Sequence, residues 1–315
     1  MNDRADSIFH RYYSKEEFSD RFVTNPDDAI DVIIPVLHTN ELWRKNLLSF
    51  YREIPINRLL IGDGGCIDDS IEIASKFPRV TIFDHKDYKT LGYSIRKLIE
   101  AVETDWFVYL HSDVYLPDGW FDTMKRYQTE YDWFGCPMQH TVMVEYPLVP
   151  EGRPYAGSQI GRKVAFQEGL AKIDDDYVYR QEDFVFAQMV KQAGYKQGYV
   201  EDTFHYHQTM YKPSPWHREV KSVKIEVEMS REEEVRTFMM QAKGIIKYLQ
   251  PTPILTSGVS NSIIRLQKLG ELNWDEFKKW VAVTNPAWLP YIHRASPYRQ
   301  WLYNLLRALY RLVSR

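Results

Sequence analysis

Two polar side chains end an apolar run at a spacing that chemistry can use. His111 and Asp113 follow Trp106-Phe107-Val108-Tyr109-Leu110. The run reads as a buried strand, and residues two apart in extended backbone share a face. Asp113 offers a hard oxygen and His111 a borderline nitrogen. Together they could hold Mn2+ or Mg2+ and leave positions open for a diphosphate. The same pair also suits a strand end that simply returns to solvent, so other groups must decide.

Further along, Tyr179-Arg180-Gln181-Glu182-Asp183-Phe184 opens a helix that Gly194 can close. Glu182 and Asp183 fall in its first turn, where the helix dipole favours carboxylates whether or not they do chemistry. His205-Tyr206-His207 then places two imidazoles on one side of a strand, a second metal-ligating pattern. Before both, Ile61-Gly62-Asp63-Gly64-Gly65 combines an acceptor carboxylate with glycines that let backbone approach a ligand. A tight turn with a solvated Asp63 fits the same residues. The turn is neither Gly-x-Gly-x-x-Gly nor a P-loop, which disfavours a nicotinamide or ATPase site.

The elements that must position these groups alternate. Strands are expected at 31–36, 58–61, 80–83 and 106–110, with helices from Leu42, Ile71 and Leu91 between them. That order predicts a wound, mainly parallel sheet, whose ligands bind beyond the carboxyl ends of the strands. Asp132 to Met138 reads as a further strand with an edge or bend at Gly135 and Pro137. Gln139 to Phe166 is a long segment rich in turn residues, as binding walls and lids often are.

In this order the blocks resemble the GT-A fold glycosyltransferases, in particular the inverting family 2, over residues 30 to 210. Asp31 to Val36 resembles the family's first strand, with Pro35 lining the base pocket. Asp63 and Gly64 stand in its Val-Asp-Asp-Gly-Ser block, which binds nucleobase and ribose. Leu110-His111-Ser112-Asp113 stands where the family has Asp-x-Asp, with Asp113 as the metal contact and Ser112 on the donor side. Gln181-Glu182-Asp183 resembles the motif that carries the catalytic base. The resemblance implies Asp183 as base and Glu182 as its helper. It also implies a late histidine, His207 or His205, as a further metal ligand, and donor contacts from Lys89 and Arg96. Three departures stand out: Gly62 replaces an acid, a residue near Ile67 is extra before Asp68-Asp69, and His111 replaces an acid. His111 is then either a ligand or a group facing the nucleotide. No Gln-x-x-Arg-Trp motif of processive synthases follows Asp183, so a single transfer is expected.

The implied reaction is inverting transfer from a UDP- or GDP-sugar to a saccharide or lipid-linked acceptor, with Mn2+ or Mg2+. Two other classes fit less well. A silent GT-A binding module would explain the lost acids. A sugar nucleotidyltransferase would need a Gly-rich basic loop where Leu37-His38-Thr39-Asn40 stands.

The composition is that of an ordinary soluble protein, long enough for one large core or two domains. The 315 residues are 44% hydrophobic and 26% charged with net charge -3, which gives no basic field for nucleic acid. Cys66 and Cys136 form no disulfide or zinc pattern, which suits a reducing cytoplasm. We expect a lead-in over 1–28, an α/β GT-A domain over 29–215 and a mostly helical region over 216–315. Helices are expected over 231–248, 274–283 and 298–313. The last carries leucines on one face and Arg299, Arg307, Arg311 and Arg315 on another. This pattern suits either a docked terminal helix or peripheral attachment to anionic lipid at the cytoplasmic face.

Overall fold

The branched-aliphatic run Val32-Ile33-Ile34 is satisfied by burial on both faces, and it forms an interior strand of a sheet. A computed structural model describes residues 28–37, 39, 43–87, 90–140, 157–173, 182–207 and 230–293. They fall into two compact units, one ending at Ile173 and resuming from Glu182 to His207, the other covering 230–293. The expected domain boundary after residue 215, the lead-in before residue 28 and the terminal helix at 298–313 lie outside the described residues.

The first unit is built on a seven-stranded mixed sheet. Its strands are β1 (Ile30–Val36), β2 (Ile56–Asp63), β3 (Val80–Asp84), β4 (Trp106–Leu110), β6 (Trp133–Gly135), β8 (Ser158–Arg162) and β9 (Gln197–Tyr199). A separate three-stranded sheet holds β5 (Val114–Tyr115), β7 (Met138–His140) and β10 (His205–His207). The large sheet runs in the order β3-β2-β1-β4-β8-β6-β9. All its pairings are parallel except those of β8 with β4 and with β6. This is the expected α/β architecture, a mainly parallel sheet flanked by helices.

Helices α1 (Trp43–Glu53), α2 (Ser70–Ser75) and α3 (Leu91–Ala101) link the first four strands, and α4 (Trp120–Lys125) follows β5. Helix α5 (Lys163–Leu170) follows β8, and α6 (Glu182–Gln192) precedes β9. Thr90 caps α3 by accepting from the Tyr93 amide at 3.1 Å. The core packs Trp43, Leu47 and Phe50 of α1 and Trp120 of α4 against Val32, Ile34, Ile61, Val108 and Leu110.

Register sets the functional edge. Val36 pairs with Asp63, and Asp63 with Asp84, so the carboxyl ends of β1, β2 and β3 lie side by side. β4 lies on the other side of β1, pairing Ile33 with Tyr109. The expected strand at 132–138 is broken at Cys136-Pro137. Trp133–Gly135 stays in the large sheet and Met138–His140 passes to the small one. Proline lacks the amide a ladder needs, so the chain changes sheet there.

The second unit is helical over its described residues: α7 (Arg231–Tyr248), α8 (Pro253–Lys268), α9 (Trp274–Thr284) and a 3-10 turn, Pro286–Trp288. Trp288 Nε1 and Asn285 Nδ2 both donate to the Leu249 carbonyl, at 2.8 and 3.1 Å, and so cap the carboxyl end of α7. Among the described residues no helix is long and apolar enough to cross a membrane.

Candidate functional site

The chain leaves β4 at His111, whose amide donates to the Gly157 carbonyl at 2.9 Å. It turns through Ser112 and Asp113 and enters β5. There Val114 pairs antiparallel with His207 of β10. This small sheet brings a late histidine to the strand end. His111, Asp113 and His207 each offer a ligand atom within 4.8 Å of the others. Nε2 of His207 lies 3.6 Å from Oδ1 of Asp113, and the His111 and His207 rings are 5.8 Å apart. Burial pushes the His111 pKa down to about 4, outweighing the attraction of Asp113, while His207 adds to the depression. Neutral imidazole is the ligating form. Two nitrogens and a carboxylate oxygen converging in this way fit a divalent cation with positions left for other ligands.

His205 faces another task. Its Nδ1 bonds Ser158 Oγ at 2.8 Å and lies 3.6 Å from Cys136 Sγ, itself contacted by Trp120 Nε1 at 3.3 Å. The structure does not bring His205 into the group formed by His111, Asp113 and His207. It is fully buried and ties β10 to β8 and α4.

Gly157 lies behind this cluster, a placement that its setting in a turn-rich segment did not single out. Its φ of +132° is a conformation L side chains avoid. A Cβ there would stand 2.6 Å from His205 Nε2 and 3.0 Å from His207 Cδ2. Its carbonyl anchors His111, so one glycine backs both arms of the cluster.

Glu182 and Asp183 open α6, with Glu182 buried and Asp183 half-buried. Both act on Tyr109 of β4. Burial first, then the charges of Glu182, Asp183 and Asp113, hold the Tyr109 hydroxyl protonated far above the usual range. That hydroxyl lies 2.9 Å from Nε2 of His111. The acidic pair and the cluster thus share Tyr109 as a neighbour.

At the ends of β1 and β2, Asp63 Oδ1 accepts from the Gly65 and Cys66 amides at 2.9 and 2.8 Å. Burial alone would raise its pKa, but these hydrogen bonds and Lys86, 3.8 Å away, bring it below the ordinary value. The Gly64 amide donates to the Val36 carbonyl at 2.7 Å. Pro35 is half-buried and lies opposite Gly62 in the β1–β2 register. A Cβ on Gly62 would fall 2.6 Å from His85 Nδ1 and 2.9 Å from Ser94 Oγ. These two side chains bond each other at 2.7 Å. The buried His85 therefore fills the space a side chain at position 62 would need, a constraint the local sequence around His85 does not signal.

Ser112 is half-buried, and its carbonyl accepts from Asn46 Nδ2 at 2.8 Å, which pins the strand end to α1. Arg96 bonds the Ile173 carbonyl at 3.3 Å and Glu100 at 3.4 Å. Lys89 lies outside the described residues. Asp68 accepts from Ser70 N at 3.1 Å and Thr39 N at 3.0 Å, while Asp69 at the cap position of α2 makes no side-chain cap bond.

Residues 31–132 match the family model described as glycosyl transferase family 2. That stretch of the first unit thus carries a match to a glycosyltransferase domain of family 2 type. Among solved structures, residues 1–349 of TarS from S. aureus are 12% identical, with a TM-score of 0.48 over 80% of this chain and 77% of that one. The same protein in complex with UDP-GlcNAc is 13% identical, with a TM-score of 0.48 over 80% and 78%. GalNAc-T7 with UDP, GalNAc and Mn2+ is 13% identical, with a TM-score of 0.49 over 84% of this chain and 53% of that chain. No curated protein matches the chain.

Proposed function

We propose that the protein moves a sugar from a nucleotide-diphosphate donor to an acceptor hydroxyl, with inversion at the anomeric carbon and dependence on a divalent cation. The observation that carries this reading is the convergence of His111, Asp113 and His207 at the carboxyl end of β4, inside a unit whose residues 31–132 match the family 2 model.

Asp183 is the general base in this account. It takes the acceptor proton as the hydroxyl oxygen bonds to the anomeric carbon. The bond from that carbon to the diphosphate breaks, and its electron pair leaves with the nucleoside diphosphate. One displacement inverts the centre, and no covalent enzyme intermediate is needed. Glu182 orients Asp183 or the acceptor. Asp113, His207 and His111 would hold the cation, which would supply positive charge to stabilise the departing diphosphate. Two imidazoles in the donor set favour Mn2+ over Mg2+, which prefers oxygen ligands and keeps its water.

Asp63, with Oδ1 engaged by its own loop, offers Oδ2 to a uracil or guanine N–H. Pro35 and Gly64 line the base, and Ser112, Lys89 and Arg96 are the remaining donor-contact candidates. We assign the acceptor to saccharides or lipid-linked glycans, and the basic segment after Pro297 to a peripheral contact with anionic membrane at the cytoplasmic face. Liposome pelleting of the full chain against a version ending at Ser296 tests that contact. Equal recovery in the soluble fraction would remove it.

A thermal-shift screen of UDP- and GDP-sugars with and without Mn2+ tests the donor reading. Ligand at a hundred times its Kd adds about 2.7 kcal/mol to the folded state, so one donor class should raise the transition, more strongly with Mn2+. No shift with any nucleotide sugar would reject it.

A further inference from the structure

His111 and Asp113 make different demands on their surroundings. A carboxylate offers a cation either oxygen. An imidazole offers one nitrogen, and only while the proton sits on the other. A histidine in a ligand position therefore needs a partner that holds its proton in place.

Tyr109 is placed to be that partner. It precedes His111 by two residues at the end of β4, so the pleat puts both side chains on one face. The two rings meet edge to face, 5.3 Å apart at 68°, and the Tyr109 oxygen lies 2.9 Å from Nε2. Tyr109 is 4% exposed, and a buried phenol needs a hydrogen-bonding partner. The backbone leaves little play. Tyr109 pairs with Ile33 on one side and Gln159 on the other, and the His111 amide is bonded to Gly157.

From this geometry we propose that Tyr109 is a positioning residue for the cation site. Its oxygen accepts the Nε2–H of His111, which leaves Nδ1 as the nitrogen offered beside Asp113 and His207. The proposal rests on the cation-site reading above. It also accounts for a departure from the family pattern: an acid in place of His111 would need no such control, whereas an imidazole does. The opposite arrangement, with the phenol donating to Nε2, would put the proton on Nδ1 and leave neither nitrogen ready for a cation.

Two measurements on the full chain decide it. Long-range 1H–15N spectra of the metal-free protein, with His111 identified by comparison with His111→Gln, report the tautomer directly. We expect Nε2–H, and Nδ1–H would overturn the proposal even if every Tyr109 variant failed to fold. Mn2+ titration, followed by loss of the free-ion EPR signal, then compares Tyr109→Phe, His111→Asp and the double variant. Tyr109→Phe should weaken Mn2+ binding by about tenfold or more where His111 is present and leave it unchanged beside His111→Asp. Equal weakening in both backgrounds would show a general structural role and overturn the proposal. Asp113→Ala separates the two levels. If it binds Mn2+ like the parent, the cation site itself is wrong. If it loses Mn2+ while Tyr109→Phe does not, only the role of Tyr109 fails.

Discussion

Nε2 of His207 stands 3.6 Å from Oδ1 of Asp113, held there by the antiparallel pairing of His207 with Val114. An imidazole completing a carboxylate site makes the cation preference readable. Initial rates at equal Mn2+ and Mg2+ should be higher with Mn2+, and His207→Asp, which supplies a hard oxygen, should narrow the gap. A parent enzyme with equal or better rates in Mg2+ would contradict the assigned ligands.

Gly157→Ala should damage the site without touching a ligand. The φ of +132° and the contacts with His205 and His207 make a methyl group both strained and crowded. Such backbone strain costs of order 1–3 kcal/mol. Urea unfolding should show a loss of that size together with weaker Mn2+ binding. Unchanged values in both would remove Gly157 from the account.

Gly62→Asp restores the family's acid and should destabilise this chain, because the new side chain meets His85 and Ser94. A second change, His85→Ala, should recover part of that loss, a coupling expected only of groups in contact. Additive losses would show that His85 does not fill the space a side chain at position 62 needs.

Acid should weaken the metal-free fold through His111. Its pKa is about 4 in the folded chain against an ordinary 6.5. The depressed value means that the unfolded chain binds a proton which the folded chain refuses. The contribution is fully present above about pH 6.5 and is lost as pH falls towards 4, at up to about 1.4 kcal/mol per pH unit. Urea unfolding of the parent should fall more steeply from pH 7 to 5 than that of His111→Gln. Parallel slopes would contradict the buried neutral imidazole.

Much of the scaffold was legible because its signals are local. The first four strands are apolar runs bounded by turns, and the helices between them carry an apolar face. His111 and Asp113 announce themselves by strand spacing. What was hidden depends on partners distant in sequence. Asp31 reads as a strand start, yet it is fully buried. It is bonded to Arg58 at 2.6 Å, Asn57 at 2.8 Å and the Glu103 amide at 2.7 Å, a network no single segment reveals. His205 and His207 look equivalent because pleat gives their side but not what packs there. The antiparallel strand β8 is preceded by a run of proline and glycine. Helix α8 contains Ser257, Gly258, Ser260, Asn261 and Ser262, weak helix formers. It is secured by Pro253 in its first turn and by Thr252, which accepts from the Leu255 amide at 3.4 Å.

The most direct test of the central claim is release of nucleoside diphosphate from the donor class picked out by thermal shift, with Mn2+ and a matching acceptor. The parent should turn over. Asp113→Ala should lose Mn2+-dependent release. Asp183→Asn should still bind donor but release product at least about a hundredfold more slowly, the scale of a lost general base. Release by Asp183→Asn at the parental rate, with folding and donor binding intact, would contradict the account.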